Sequence, residues 1–550
     1  MYNELMLLKK QNSLIYLIIT LPFFIKQYSD MVKGGTTYDI FEQWMGAGYI
    51  FSKLQAYINF DLNNIIFSKS LGIYDYFGYV FMLPAYIFER IINGFMYDEN
   101  NIPINNASLF FASEDAQTYF SLHFFLLVYS FLCMYIIYRK LTQLIDKNFS
   151  VLFLLIIFLI PSFSGHMLFN VKDIPFLLNL FIATLYILEI FCYKNLSEIY
   201  FKDILKASLV FAFSLLTRVN SIFFISFLFL YIFLRKIKLY RVVLKKIISV
   251  YVLALTFLLI GSPSAWRNPI KWIFESIEFQ SNHYWSGNTL TNGKFVFAQE
   301  MSGTYLFEWY FYRMPLFLHL SLIFFIYFLI IQKNNSEIEN YSFIFILANF
   351  LLFPIIKPTA YDGLRHFLFL IPFFTVLCVS VLQKIKIFNG TLYNFVFSLV
   401  IIYGLFTQWG LDSYRYTYFN ELTDTENISI SCENNDGCGN WPTDYWGFSG
   451  KELADIFNSN YKETNLLVCE PKHGFSSYLD NYEFNLIGPD QIVYYENFYT
   501  LTLHRPRKDV NSCDFHFLNY KIECKLADSV TRQLRGEEIF MSYVHKCSSI

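Results

Sequence analysis

The sequence predicts a mainly α, polytopic membrane protein with about eleven transmembrane helices, a long first outer loop carrying interfacial helices, and a small α+β C-terminal domain outside the membrane. Three observations predict it. Hydrophobic residues make up 55% of the 550 and charged residues only 16%, with a mean hydropathy of +0.37, far more apolar surface than one soluble core can bury. Apolar runs of helical length recur along the chain, and basic clusters fall in every second loop between them. After residue 409 the runs stop, and six of the nine cysteines follow.

The first run, 13–28, follows Lys9 and Lys10 and has no small-residue cleavage site, so it reads as an uncleaved span with a cytoplasmic N-terminus. Further runs lie near 119–139, 149–162, 173–193, 204–217, 219–234, 247–262, 312–332, 341–356, 366–383 and 392–409. Several are shorter than the roughly 20 residues of an ordinary span. Counting from a cytoplasmic N-terminus puts Arg139/Lys140/Lys147, Lys194/Lys202/Lys206, the Arg235–Lys246 cluster, Lys333 and Lys384/Lys386 inside, as the positive-inside rule demands. The stretch 77–96 carries Pro84, Glu89 and Arg90, and as a span it would invert all later loops, so it is expected to lie in the outer interface.

Three outer segments result: 29–118, 263–311 and the tail 410–550. The tail has DG, GCG and NWP turns and strand-like NLLVCE and QIVYYEN. Its cysteines, Cys432, Cys438, Cys469, Cys513, Cys524 and Cys547, form no CxxC pair with histidines at zinc-finger distance, which points to disulfides in an oxidising compartment. The 64 Phe and 42 Tyr accompany an excess of Ile, Asn and Lys, which suits an AT-rich genome as well as a carbohydrate-stacking role, and aromatic richness alone decides nothing. A net charge of −2 without a long basic run gives no reason for a nucleic-acid partner.

Positive charge on the outer side runs against the topology rule, so the outer cations call for a reason. They are Lys172 in GHMLFNVKDIPF, Arg218 in LLTRVN, Arg267 in SPSAWRNP, and Lys357, Arg365 and His366 in IIKPTAYDGLRHF, each near a helix end at headgroup depth. Snorkelling explains any one alone. Together they suit a lipid-anchored phosphate or pyrophosphate, Arg as a bidentate fork and Lys as a point charge. Asp39 and Glu42 in TTYDIFEQW and Asp173 beside Lys172 share that face. Acids beside a phosphate site suit a reaction in which a hydroxyl loses its proton while a phosphate leaves. Capping or ion pairing are the plainer readings of Asp39 and Asp173. His166 and His366 lack HxxxH or HxxE spacing, so satisfied histidines are expected rather than metal ligands. Walker loop and GxSxG elbow are absent from the sequence, and nothing indicates hydrolysis of cytoplasmic ATP.

These stretches resemble glycosyltransferases of the GT-C superfamily, in the branch of protein O-mannosyltransferases and lipid A aminoarabinose transferases (glycosyltransferase family 39-like). The matching segments are TTYDIFEQWMGAGYIF, YDYFGYVF, PSFSGHMLFNVKDIPF, SPSAWRNPI, YDGLRHFLFLIP, and YFNEL followed by PTDYWGFSGKELA. GHxxxNxKDIPF and YDGLRHFLF are the specific elements. The resemblance implies a GT-C type transmembrane domain, 1–409, and an extracytoplasmic domain, 410–550, in the inner (plasma) membrane. It implies transfer of a sugar from a polyprenyl-phosphate donor to a protein, lipid or glycan acceptor on the outer face, with inversion and without a nucleotide sugar. Asp39 matches the catalytic acid, a general base. Many relatives carry a second acid directly after it, where this chain has Ile40 and the nearest acid is Glu42. Asp173 joins the catalytic set through the KD pair. Lys172, Arg365, His366, Arg218 and Arg267 are assigned to the donor phosphate, and Tyr38, Glu42, His166, Asp362, Asp444, Tyr445 and Trp446 to acceptor or sugar contacts. The resemblance names no definite cofactor and leaves a divalent metal open. The rival class is a transporter or flippase of a lipid-linked saccharide, which would place ionisable groups or broken helices near the midplane. A third is a scaffold whose tail binds an envelope partner.

Overall fold

The computed structural model describes residues 2–61, 76, 78–96, 114–281, 285, 287–332, 334–429, 439–462, 464–469, 472–480, 484–488, 492, 494–505 and 522–549. Each apolar run has a helix as its main part: Tyr2–Lys33, Glu114–Leu144, Lys147–Phe158, Asp173–Leu188 with a π-helical extension to Tyr193, Phe201–Thr217, Ser221–Arg235, Tyr240–Ile260, Leu316–Ile331, Glu337–Ile356, Ile371–Phe388 and Gly390–Phe406. The chain is thus mainly α, with a small C-terminal sheet. Among the described residues five stretches are long and apolar enough to cross a membrane unaided: Asp115–Leu144, Asp173–Tyr193, Ile237–Ile260, Glu337–Ile356 and Arg365–Phe388. Lys147–Phe158, Ser221–Arg235 and Gly390–Phe406 are apolar but shorter. At 1.5 Å per residue the 12-residue helix Lys147–Phe158 rises only about 18 Å of the roughly 30 Å hydrocarbon layer, so length alone does not make it a span.

The run expected over 312–332 is broken. Tyr305–Arg313 meets Leu316–Ile331 at 111°, and the two count as one span only if the bend is ignored. Pro315 has no N–H and pushes the residue before it out of helical geometry; Met314 is extended, at φ −90 and ψ 141. Hydropathy cannot see that break, because both halves are apolar.

Asp173–Leu188 is the centre of the bundle, with every side chain buried except Tyr186, packed against Glu114–Leu144, Phe201–Thr217 and the 3-10 segment Arg365–Leu370. The outer helices instead expose large apolar side chains, such as Ile330 at 74% and Ile402 at 65%. In water such a surface would be untenable, and in lipid it needs no partner. Tyr79–Met96 packs on Ile40–Ile58 and Glu114–Leu144. Its buried Glu89 accepts hydrogen bonds from Trp44 Nε1 (3.1 Å), Asn93 Nδ2 (3.2 Å) and Thr118 Oγ1 (3.1 Å). One carboxylate therefore ties three helices together, which accounts for an acid inside an apolar helix.

The C-terminal sheet has five strands in the order Phe484–Leu486, Thr464–Val468, Asn497–Leu503, Glu537–Ser549, Ile522–Leu534. Its first two pairings are parallel and its last two antiparallel. NLLVCE supplies a strand as expected, and the last residue of QIVYYEN, Asn497, begins another. A disulfide joins the paired residues Cys524 and Cys547, and Cys469 is also disulfide-bonded. Cys432, Cys438, Cys513 and Lys333 lie outside the described residues.

Between bundle and sheet, residues 411–429 and 439–450 interleave with helix ends. Arg415 Nη2 reaches Asp30 Oδ2 and Gln27 Oε1, both at 2.9 Å. The short helix Pro161–His166 packs on the Asp412–Thr417 turn so closely that a Cβ on Gly165 would lie 2.3 Å from the Tyr416 backbone nitrogen. Gly165→Ala is therefore expected to cost about 1–3 kcal/mol of stability by overpacking. Thermal unfolding in detergent checks it against Gly94→Ala, whose added methyl meets nothing within 4 Å.

Candidate active site

Asp39 precedes the helix Ile40–Ile58 in the N-cap position, but its side chain makes no cap hydrogen bond. The approach to it is pinned from the C-terminal part of the chain: Gly35 N donates to Phe448 O and Tyr38 N to Trp446 O, each at 2.8 Å. Released from capping, the carboxylate crosses to Arg365 Nη1 at 2.7 Å. Arg365 follows the sharp turn Asp362-Gly363, both residues left-handed at φ 55 and 70, a conformation that favours Gly and is tolerated by Asp. That turn folds Asp362 Oδ2 back to 3.3 Å from Arg365 Nη2. Asp362 Oδ1 receives Arg505 Nη2 at 2.5 Å. Asp39, Arg365, Asp362 and Arg505 thus form a row of alternating charge. The Arg365 guanidinium, only 2% exposed, lies over the rings of Tyr361 and Trp446, at 4.7 and 4.9 Å.

A second network meets the first at the mouth of the central helix. Asp173 accepts a charged hydrogen bond from Arg218 and another from Asn170 Nδ2 at 3.1 Å, so one buried acid joins two helix ends at a terminus whose dipole favours it. Asn170 Oδ1 accepts the backbone N–H of Lys172 and Asp173, at 3.2 and 2.8 Å, which fixes its amide orientation. Its Nδ2 then donates to His166 Nδ1 at 3.2 Å, leaving the proton on Nε2, which faces the Tyr445 hydroxyl at 3.0 Å. His166 is a buried neutral histidine with both nitrogens engaged, its ionisation pushed far down by burial and by the nearby Arg313 and Arg365 charges.

Burial by itself would raise the Asp39 carboxyl. Arg365 first, then Lys172 and Arg505, outweigh it and bring the group from 3.8 down to about 2. Lys172 is pushed down by burial, against the pull of Asp39. Glu42 is pushed up by burial and by the Asp39 charge. Any activity that needs ionised Asp39 in the free protein should hold through pH 3.8 and fail only as pH drops toward about 2, because a group with a depressed pKa stays charged below its ordinary range. The acid limb of kcat/KM, which reports the free protein, checks this; a limb near the ordinary carboxylate value would mean that Arg365 does not hold Asp39.

The expected residues divide into groups. Asp39, Arg365 and Asp362 are in contact, Lys172 acts on Asp39 and Asp39 on Glu42 through charge, and Asp173 with Arg218 and His166 adjoin them. Tyr38 lies under Arg505, with its ring 5.2 Å away, and His366 meets the edge of Tyr361 at 4.6 Å. Asp444 is committed to the fold: it accepts the Tyr416 hydroxyl and the backbone N–H of Trp446, Gly447, Phe448 and Ser449. Tyr445 and Trp446 hang from that loop into the site. Arg267 stays exposed after the turn Pro263–Ala265, and Lys357 is an exposed left-handed C-cap. Reading by sequence passed over Arg505, Asn170, Tyr361 and Trp285. Asn170 stood within a quoted motif, but Arg505 and Trp285, whose ring stacks on Tyr361 at 4.4 Å, carry no local signal. Among the described residues no three His, Cys, Asp or Glu side chains gather as metal ligands.

The chain matches no protein-family model and no curated protein. It is similar to solved structures of ArnT from Cupriavidus metallidurans in the apo state (10% identity, 96% of this chain and 97% of that one, TM-score 0.45) and bound to undecaprenyl phosphate (9%, 96% and 97%, 0.44). It is also similar to the Archaeoglobus fulgidus oligosaccharyltransferase in complex with Zn and sulfate (11%, 84% and 62%, 0.39).

Proposed function

We propose that the chain is a membrane glycosyltransferase that moves a sugar from a polyprenyl-phosphate donor to an acceptor on the outer, periplasmic face, with inversion and with Asp39 as general base. The observation that carries the reading is the Asp39–Arg365 pair at 2.7 Å, with Lys172 bearing on the same carboxylate. A proton acceptor and two cations, from widely separated parts of the chain, converge at one point beside helix ends.

In the displacement, the acceptor hydroxyl attacks the anomeric carbon, its proton passes to Asp39, and the carbon–oxygen bond to the carrier phosphate breaks. Lys172, Arg365 and Arg218 face the charge gathering on the departing phosphate, with His366 and Arg267 nearer the rim. In a dry site each such contact is worth about 3 kcal/mol of barrier. Asp173 keeps Arg218 in place. A carboxyl held at about 2 is a feeble base. The donor phosphate remedies this by drawing on the same Arg365 and Lys172, so that Asp39 gains basicity only with donor bound. Its basicity thereby becomes conditional on the substrate.

The test is incubation of purified protein with a labelled polyprenyl-phosphate sugar, in detergent and in liposomes. Label on an acceptor supports the transferase. Label crossing the bilayer without transfer would replace it with a flippase, and neither outcome would leave a scaffold.

A further inference from the structure

The C-terminal part of the chain contributes a charge to the row around Asp39. Arg505 follows the strand Asn497–Leu503, and its neighbour His504 is anchored on both ring nitrogens, to the Tyr543 hydroxyl at 2.5 Å and to Trp441 O at 3.1 Å. The His504 backbone N–H donates to Met541 O at 2.8 Å. From this fixed base the guanidinium passes over Tyr38 and Trp285, at 5.2 and 5.8 Å from the ring centres, and ends on Asp362 at 2.5 Å. Asp362, 3% exposed, therefore sits between two guanidiniums and is nearer to Arg505 than to Arg365, which lies at 3.3 Å.

We propose that Arg505 is a positioning residue of this site: by neutralising Asp362 it leaves the Arg365 guanidinium available to Asp39 and to the donor phosphate. The inference rests on the reading of Arg365 as a donor-phosphate ligand. The row holds two carboxylates and two guanidiniums, with Lys172 alongside. Without Arg505, the full charge of Asp362 falls on Arg365, draws it away from Asp39, and sets an uncompensated anion close to where a phosphate must enter. Screening is weak at such a buried point, so the penalty is large for a residue that touches neither Asp39 nor Arg365.

The experiment uses the full-length protein and undecaprenyl phosphate as probe, with Kd measured for each variant and sugar transfer measured separately. Arg505→Met is expected to raise Kd roughly tenfold, and Arg505→Lys, which keeps the charge, less. Adding Asp362→Asn to Arg505→Met should restore most of the affinity, since it removes the anion left without a partner; Asn also suits the left-handed backbone at φ 55. Arg532→Met, which breaks the Arg532–Glu452 pair of the same C-terminal region, should leave Kd unchanged. Wild-type affinity in Arg505→Met overturns the inference, and so does a loss that Asp362→Asn does not relieve, because direct contact or misfolding would give that result. Binding without sugar transfer by the wild-type protein defeats the transferase reading and leaves this inference standing. A wild-type protein that does not bind the probe defeats both.

Discussion

Asp39→Asn is expected to abolish transfer, by about a thousandfold or more, while the protein should still fold and still bind the proposed donor phosphate. The two side chains have the same shape, so the substitution isolates the carboxylate charge and its ability to take a proton, and a positioned general base contributes about 10²–10⁴-fold. Its second consequence separates this mechanism from simple destabilisation. In the wild-type protein Arg365 is already paired with Asp39 at 2.7 Å, so an incoming phosphate must compete with an internal anion. Removing that anion should tighten binding of undecaprenyl phosphate even as turnover is lost. Turnover kinetics and binding on the same preparation decide it: normal turnover removes Asp39 from the mechanism, and weakened binding contradicts the shared-cation argument.

Arg365→Met should also cost heavily, by a different route. The guanidinium serves Asp39 and Asp362 at once and lies over two aromatic rings. Its removal would strip charge from the proposed donor site, leave Asp39 without its guanidinium partner and leave Asp362 with Arg505 alone. Breaking a buried pair from one side costs about 3–5 kcal/mol, so a fall in thermal stability should accompany a loss of kcat/KM of about a hundredfold or more. Arg365→Lys should recover little of either, because a point charge cannot reach both acids while stacking between Tyr361 and Trp446. Full activity in the lysine variant would show that charge alone matters there. The two variants should also diverge in binding: the phosphate is expected to be held more tightly without Asp39 and more weakly without Arg365.

Several residues that meet at the candidate site stand out in the chain itself. Lys172, Arg218 and Arg365 are basic residues beside apolar runs, and the DG pair at 362–363 announces the turn that presents Arg365. By sequence His166 is expected to be a satisfied histidine rather than a metal ligand, with a sugar contact left open; folded, both its nitrogens are engaged, by Asn170 and by Tyr445. Arg505 was illegible because an arginine in a polar tail breaks no rule, and only the strand before it carries it to Asp362.

Hydropathy and spacing are local properties, so the sequence by itself determined that most of the chain is apolar helix, roughly where each helix runs, and which short stretches hold charge at helix ends. Partners are long-range: Asp39 and Arg365 are separated by 326 residues, and no periodicity links them. Tertiary structure alone decided that they touch, that Asp362 is shared with the C-terminal region, and that an apolar run near 315 bends instead of continuing. Each of those outcomes depends on which buried charge finds which counter-charge, or on a proline's missing hydrogen-bond donor, and the average polarity of a segment records neither.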